Sequence, residues 1–212
     1  MGYLVLDTET SGLFDFSKPA DAAGQPRLAA VTMLLTDDDM LARSEPDFSR
    51  EWSNLIQPSD WEITPEITAI NGLTTERCAA VGVSIGEALD FYQAQIEDGR
   101  IVVAYNAQFD TKVMRGEFRL AGREDLFERT PNICTMRCLT KLGIQKEGGG
   151  KGFPKLTDAY RHFSGRPMEV AHTSLVDAKA CLVVMHGLMR LGALPEPKVH
   201  YAKNPPQRDT AA

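Results

Sequence analysis

YLVLDTETSGL, residues 3–13, is the stretch whose reading decides the fold. Tyr3 to Leu6 form the short apolar run of a buried strand, and the run stops on an acid. Asp7 and Glu9 are two apart, and strand side chains repeat every second residue, so both carboxylates leave the strand end on one face. Like charges held together in a half-buried place repel and lose hydration, which calls for a positive group between them. A hard divalent cation such as Mg2+ or Mn2+ fits, because its ligands are carboxylate and water oxygens. Taken alone, Asp-x-Glu after an apolar run is equally the polar end of a strand entering a loop. The remaining ligands have to come from elsewhere in the chain.

Working outward, Leu28 to Thr36 (LAAVTMLLT) fits a second strand antiparallel to the first, with Asp37-Asp38-Asp39 as its solvated turn. The sequence around Met40 and again from Trp52 to Ile56 predicts edge strands. Thr64, Pro65 and Gly72 bracket a short helix, and Ser84 with Glu87 makes a capping box for a longer one running to Ile96. Ile101 to Ala104 is a second buried strand, followed by Tyr105-Asn106-Ala107-Gln108-Phe109-Asp110 at the start of a helix. A carboxylate there is also favoured by the exposed N–H groups of the first turn, and Asn106 is a possible cap. Ile133 to Leu142 reads as a short strand and helix, Gln145 to Phe153 as a mobile glycine-rich loop, and Leu156 to Phe163 as a helix. The triple glycine lacks the Gly-Lys-Ser/Thr ending of a phosphate loop, since Gly152 follows Lys151. Ser174 is placed as the cap of a helix from about Leu175 to Leu191, with His172 before it and Asp177 in its first turn.

The length of 212 residues and an apolar fraction of 43% suit one domain, assigned to residues 1–194, with a Pro-rich basic tail at 195–212. The sequence contains neither an apolar run long enough to span a membrane nor a signal-like start, so the expected location is cytoplasmic. Cys78, Cys134, Cys138 and Cys181 are scattered, and free buried thiols are expected. A net charge of −6 argues against unspecific attraction to nucleic acid, but the charge is uneven. Residues 1–60 carry eleven acids against four bases, whereas residues 137–166 carry seven bases against two acids. An anionic partner can meet the basic segment while bound metals offset the acidic centre.

Asp7 and Glu9 at a strand end, Asp110 after the second central strand and Asp177 just after His172 form a joint pattern. In open α/β sheets, sites form beyond the strand ends where neighbouring elements converge. DTETSGL at 7–13, YNAQFD at 105–110 and HTSLVDA at 172–178 resemble, in order and approximate spacing, the three motifs of the DEDD exonucleases of the histidine subgroup. That group includes the proofreading subunit of bacterial replicative polymerase, ribonuclease T and oligoribonuclease. The likeness covers residues 3 to about 192. INGLT at 70–74 is similar to the HGIT-type stretch of the proofreading subunits, with Asn71 where histidine is frequent, and Tyr105 also stands where histidine is common.

The resemblance implies an α/β, ribonuclease H-like fold, a mixed five-stranded sheet flanked by helices, and a two-metal 3′–5′ exonuclease using Mg2+ or Mn2+. Asp7, Glu9 and Asp177 would hold one ion, with Asp7 bridging to a second that Asp110 reaches directly or through water. His172 would be the general base, since an imidazole accepts a proton near neutral pH. Leu13 would be an apolar wedge against terminal bases, the backbone from Thr10 to Gly12 would meet the 3′ hydroxyl, and Asn71, Asn106 and Phe109 would join the substrate site. Phe109 is read with equal weight as a core residue. Lys151 and Lys155 would meet phosphates or remain solvated. The expected substrate is a free 3′ end of single-stranded DNA, with an exoribonuclease as alternative. The chain would act alone, as a homodimer or beside a polymerase. A noncatalytic scaffold on this fold would have lost an acid or the histidine, and all five are present. An unrelated metal phosphoesterase would give endonucleolytic products or act on mononucleotides.

Overall fold

The computed structural model describes residues 1–144, 146, 152–168 and 173–199. His172, Lys151, most of the glycine-rich run and residues 200–212 lie outside the described residues. A mixed five-stranded sheet is flanked by helices on both faces. Strand β1 (Gly2–Thr10) lies at its centre, antiparallel to β2 (Leu28–Asp37), which pairs antiparallel with the edge strand β3 (Glu51–Leu55). On its other side β1 runs parallel to β4 (Ile101–Ala104), and β4 parallel to β5 (Asn132–Cys134). The spatial order is β3-β2-β1-β4-β5.

Alternation along β1 sorts its residues between two cores. Tyr3 and Val5 pack with Leu182, Met185 and Leu188 of α8 (Ser174–Arg190), with Ala159 of α7 (Leu156–Ser164) and with Leu139 of α6 (Thr135–Lys141). Leu4 and Leu6 face the opposite way, against Leu89 of α4 (Ile85–Glu97) and Val113, Met114 and Phe118 of α5 (Ala107–Leu120). A third cluster seats α2 (Pro65–Asn71) and α3 (Thr75–Val81) on Ala29 and Ala30 of β2, through Ile67, Leu73 and Cys78. Helix α2 starts on Pro65 and ends on Gly72 in the left-handed region at φ 71°, and α4 has the Ser84–Glu87 capping box. The four cysteines are free and buried. Among the described residues, no helix is long and apolar enough to cross a membrane.

Several local expectations are corrected. Met40 is buried in a single helical turn, α1 (Asp38–Leu41), and does not form an edge strand. The Asp37 carboxylate accepts from the Met40 N–H at 2.9 Å and starts that turn, while Asp38 takes the N-terminal ammonium at 2.6 Å. Ser174 is the first helical residue of α8 and not its cap. Thr173 caps the helix, which frees the Ser174 hydroxyl to bond Thr32 of β2 at 3.0 Å. Asn106 precedes α5 without a side-chain cap bond, and α3 and a 3-10 turn at Leu126–Arg129 were not anticipated. Lys198 pairs with Asn132 at the free edge of β5.

Glu117, on α5, is a polar centre of the fold with no forewarning in the sequence pattern. It is buried, receives the Arg27 guanidinium through two bonds at 3.0 and 2.9 Å, and accepts the Leu28 N–H at 2.8 Å. Arg27 also meets Asp60 at 2.7 Å, so the loop entering β2 is tied to α5. Glu117→Leu, which strands Arg27 and the Leu28 N–H, is expected to cost ~3 kcal/mol or more and lower Tm by roughly 6–12 °C. The double change Arg27→Leu/Glu117→Leu should lose less than Glu117→Leu alone. Thermal unfolding of wild type and the two variants checks this, and a double variant no more stable than Glu117→Leu would contradict it.

Candidate active site

Strand β1 outruns its parallel neighbour, for the β1–β4 register covers only Tyr3 to Val5. Beyond that point the strand projects into a cleft with no strand on the β4 side. Period-two alternation carries Asp7 and Glu9 to the α8 face, where Tyr3 and Val5 already lie. Asp177 stands in the first turn of α8, where the exposed N–H groups favour an anion. One carboxylate oxygen from each of Asp7, Glu9 and Asp177 lies within 4.8 Å of the others.

Asp110 arrives from the other side of the sheet, in the first turn of α5. It is 3% exposed, and its Oδ1 accepts from the Thr8 N–H at 3.0 Å and the Thr8 hydroxyl at 2.9 Å. Thr8, between the two acids, therefore fastens α5 to the projecting end of β1. The start of α8 is set by hydroxyls: Thr32, opposite Asp7 in the β1–β2 register, bonds Ser174 at 3.0 Å and Ser53 at 2.7 Å. Three residues on from Ser174 comes Asp177.

Among the described residues, burial and mutual repulsion dominate the electrostatics of Asp7 and Glu9. Burial comes first in holding the Asp7 carboxyl well above its ordinary range, followed by the charges of Asp110, Asp177 and Glu9. Burial, then Asp177 and Asp110, push Glu9 up to about 8, against a hydrogen bond from Asn71 that lowers it. Burial also raises Asp110, and the two Thr8 bonds act in the opposite direction. Among the described residues, the charged groups that shift Asp7 and Glu9 are carboxylates. Three converging hard oxygen donors that repel one another fit a divalent cation of the Mg2+ or Mn2+ kind.

The cleft, about 250 Å³, is lined by Asp7, Thr8, Glu9, Asp110 and Asp177 together with Ile70, Tyr105, Asn106, Phe109 and Leu156. Leu13 is 80% exposed just past β1, and Ile70 of α2 is 53% exposed. The turn between them is pinned: Thr10 Oγ1 donates to the Gly12 carbonyl at 2.8 Å, and the Ser11 N–H to the Arg27 carbonyl at 2.9 Å. Asn71 is buried, with its amide donating to the Thr10 carbonyl at 3.2 Å and accepting from the Leu73 N–H at 3.0 Å. The Phe109 ring lines the cleft on one side and packs on the α4–α5 core on the other. The sequence reading passed over Thr8, Ile70 and Leu156. Thr8 was within reach, since alternation aims it at the helix that carries Asp110.

Comparison with known proteins follows the same lines. Residues 4–185 match the model of the RNase T exonuclease family. No curated protein sequence matches the chain. Among solved structures, the nuclease domain of 3′hExo, a DEDDh family member bound to rAMP, superposes with a TM-score of 0.70 at 10% identity, over 93% of this chain and 96% of that one. Exonuclease I of E. coli in complex with a dT13 oligonucleotide gives a TM-score of 0.63 at 19% identity, over 90% of this chain and 42% of that one. Exonuclease I from Methylocaldum szegediense gives 0.63 at 22% identity, over 89% and 40%. These likenesses match the observed sheet and flanking helices to the ribonuclease H-like exonuclease fold. With the family model spanning most of its length and the three motifs at 7–13, 105–110 and 172–178 in place, the chain belongs to the DEDDh exonuclease family.

Proposed function

We propose that this protein removes nucleoside monophosphates one at a time from the 3′ end of single-stranded DNA, by metal-dependent hydrolysis of the terminal phosphodiester. The observation that carries the reading is the convergence of Asp7, Glu9 and Asp177 within 4.8 Å at the floor of a cleft with apolar walls. A cleft of about 250 Å³ suits one unpaired nucleotide, and an unstacked end enters it at least cost. Exonuclease I, whose structure holds dT13, supports a DNA substrate, and the rAMP-bound 3′hExo domain, with the higher TM-score, supports the exoribonuclease alternative.

Asp7, Glu9 and Asp177 would hold one divalent ion, and Asp7 with Asp110 a second. Metal ions bound there would supply Lewis acidity toward an attacking water and positive charge opposite the scissile phosphate. His172, one residue before the Thr173 cap in sequence, would take the proton of an attacking water on an imidazole nitrogen. Leu13 and Ile70 wedge against the terminal base, Phe109 stacks on it, and Asn106 stands at the mouth. The Thr10–Gly12 backbone meets the 3′ hydroxyl. Asn71 holds Glu9 and the Thr10 carbonyl and so acts on substrate through them.

With 5′-labelled DNA and RNA of equal sequence and Mg2+ or Mn2+, a ladder shortening from the 3′ end is expected, faster on DNA and abolished by chelator. His172→Ala should slow it by ~10²–10⁴-fold, and Asp7→Ala by at least as much. A folded protein that shortens neither polymer with either metal would sink the reading.

The acids also make stability depend on pH. Glu9 has a folded pKa of about 8 against an ordinary 4.5, so its neutral form is favoured by folding. That contribution is fully present below the ordinary value and is lost as pH rises through the folded one. The metal-free protein should therefore show a Tm that falls between about pH 5 and pH 9, and added Mg2+ or Mn2+ should restore it most at the alkaline end. Glu9→Gln should flatten the fall and remove most of the metal gain. A metal gain equal at both ends of the range would contradict the assignment.

A further inference from the structure

Beyond the cleft wall the aromatic surface continues. Phe109 lines the cleft, and its ring centroid lies 6.2 Å from Phe14 and 6.3 Å from Phe16, which are 5.8 Å from each other. Phe14 packs on the α4–α5 core, but Phe16 is 48% exposed. An exposed phenylalanine on a long loop ordinarily gains little from being held in one place.

Here it is held firmly. Lys112 of α5 donates from Nζ to the carbonyls of Phe16 at 3.0 Å and Lys18 at 2.8 Å, with a longer bond to that of Asp15. The same ammonium sits 5.1 Å from the Phe16 centroid and 5.3 Å from that of Phe14, bracing one face of the exposed ring. Gln25, buried, donates to the carbonyls of Asp15 at 2.8 Å and Pro19 at 3.0 Å. At Gly116 the loop comes so near α5 that a Cβ would lie 2.6 Å from the Ala20 carbonyl oxygen. The loop therefore rides on the helix whose first turn carries Phe109 and Asp110. An aromatic ring fixed before binding, beside a cleft that takes a terminal nucleotide and one ring further from the acids, is the arrangement that stacks a following base.

We propose that Phe16, on the loop clamped to α5 by Lys112, forms a second stacking subsite for the nucleobase next to the 3′-terminal one. The subsite rests on the single-strand exonuclease reading above. It makes a dinucleotide the shortest ligand to receive the full binding energy of this wall, and it is indifferent to base identity because every base presents a π-face.

The test is equilibrium binding of the full chain to 5′-fluorescein-labelled dT2, dT3 and dT5 by anisotropy, and to dTMP by competition, with Ca2+ replacing Mg2+. In the wild type, affinity should step up from dTMP to dT2. Phe16→Ala should reduce that step by about tenfold, Phe16→Trp should restore it, and Lys112→Met should reduce it with Phe16 still present. A wild type with no step, or a step of equal size in Phe16→Ala, overturns the subsite. A wild-type step in Lys112→Met overturns the clamp. Turnover of labelled oligonucleotides by the wild type decides the exonuclease reading separately: shortening from the 3′ end with an unchanged Phe16→Ala step removes the subsite alone. A reduced step in a protein without turnover removes the enzyme reading alone.

Discussion

Mutual repulsion among carboxylates gathered where β1 outruns β4 is the constraint that the rest of this structure answers. Asp7, Glu9 and Asp177 come within 4.8 Å and Asp110 lines the same cleft, so the folded chain concentrates negative charge where hydration is poorest. Burial and the neighbouring acids both raise Asp7 and Glu9, and among the described residues the hydrogen bonds from Thr8 to Asp110 and the effect of Asn71 on Glu9 act the other way. The cost is carried by the two apolar layers, in which Leu4, Leu6, Val5 and Val103 are wholly buried along the strands leading to the site. The fold is thus least stable around its acidic cleft, and a cation bound there would relieve the repulsion.

Geometry at such a site has to be imposed from outside it, because the acids push one another apart. Separate elements hold two of them: Asp110 by Thr8, and Asp177 by a helix start fixed through Ser174 and Thr32, while Asn71 ties α2 to the end of β1 at Thr10. The same logic extends to the rim. Arg27 and Glu117 tie the loop entering β2 to α5, and Lys112 and Gln25 brace the loop beyond Leu13. Helix α5 is the common anchor, so one side of the cleft is assembled before any nucleotide arrives, which reduces the ordering cost of binding.

Much of the frame was legible in the sequence. The apolar runs at Tyr3–Leu6 and Ile101–Ala104 became central strands, Leu28–Thr36 lay antiparallel to β1, and α2 began and ended on Pro65 and Gly72. These signals are local: side-chain period, a missing N–H, a tolerance for positive φ. Where two local signals competed, the reading went astray. Met40 looked like strand, yet the Asp37 carboxylate started a helical turn; Ser174 looked like a cap, yet Thr173 took that place and left Ser174 to reach β2.

What the sequence determined by itself was the chemistry. The three motifs at 7–13, 105–110 and 172–178 can be recognised from type and spacing because the residues within each lie within one turn or one strand of one another. The tertiary structure alone decided which groups hold them. Thr8 meets Asp110 across 102 residues, Arg27 meets Glu117 across 90, Thr32 meets Ser174 across 142, and Lys112 reaches the Phe16 loop across 96. Such pairs follow from how β1, α5 and α8 pack, and no periodicity along the chain records a contact between residues that far apart.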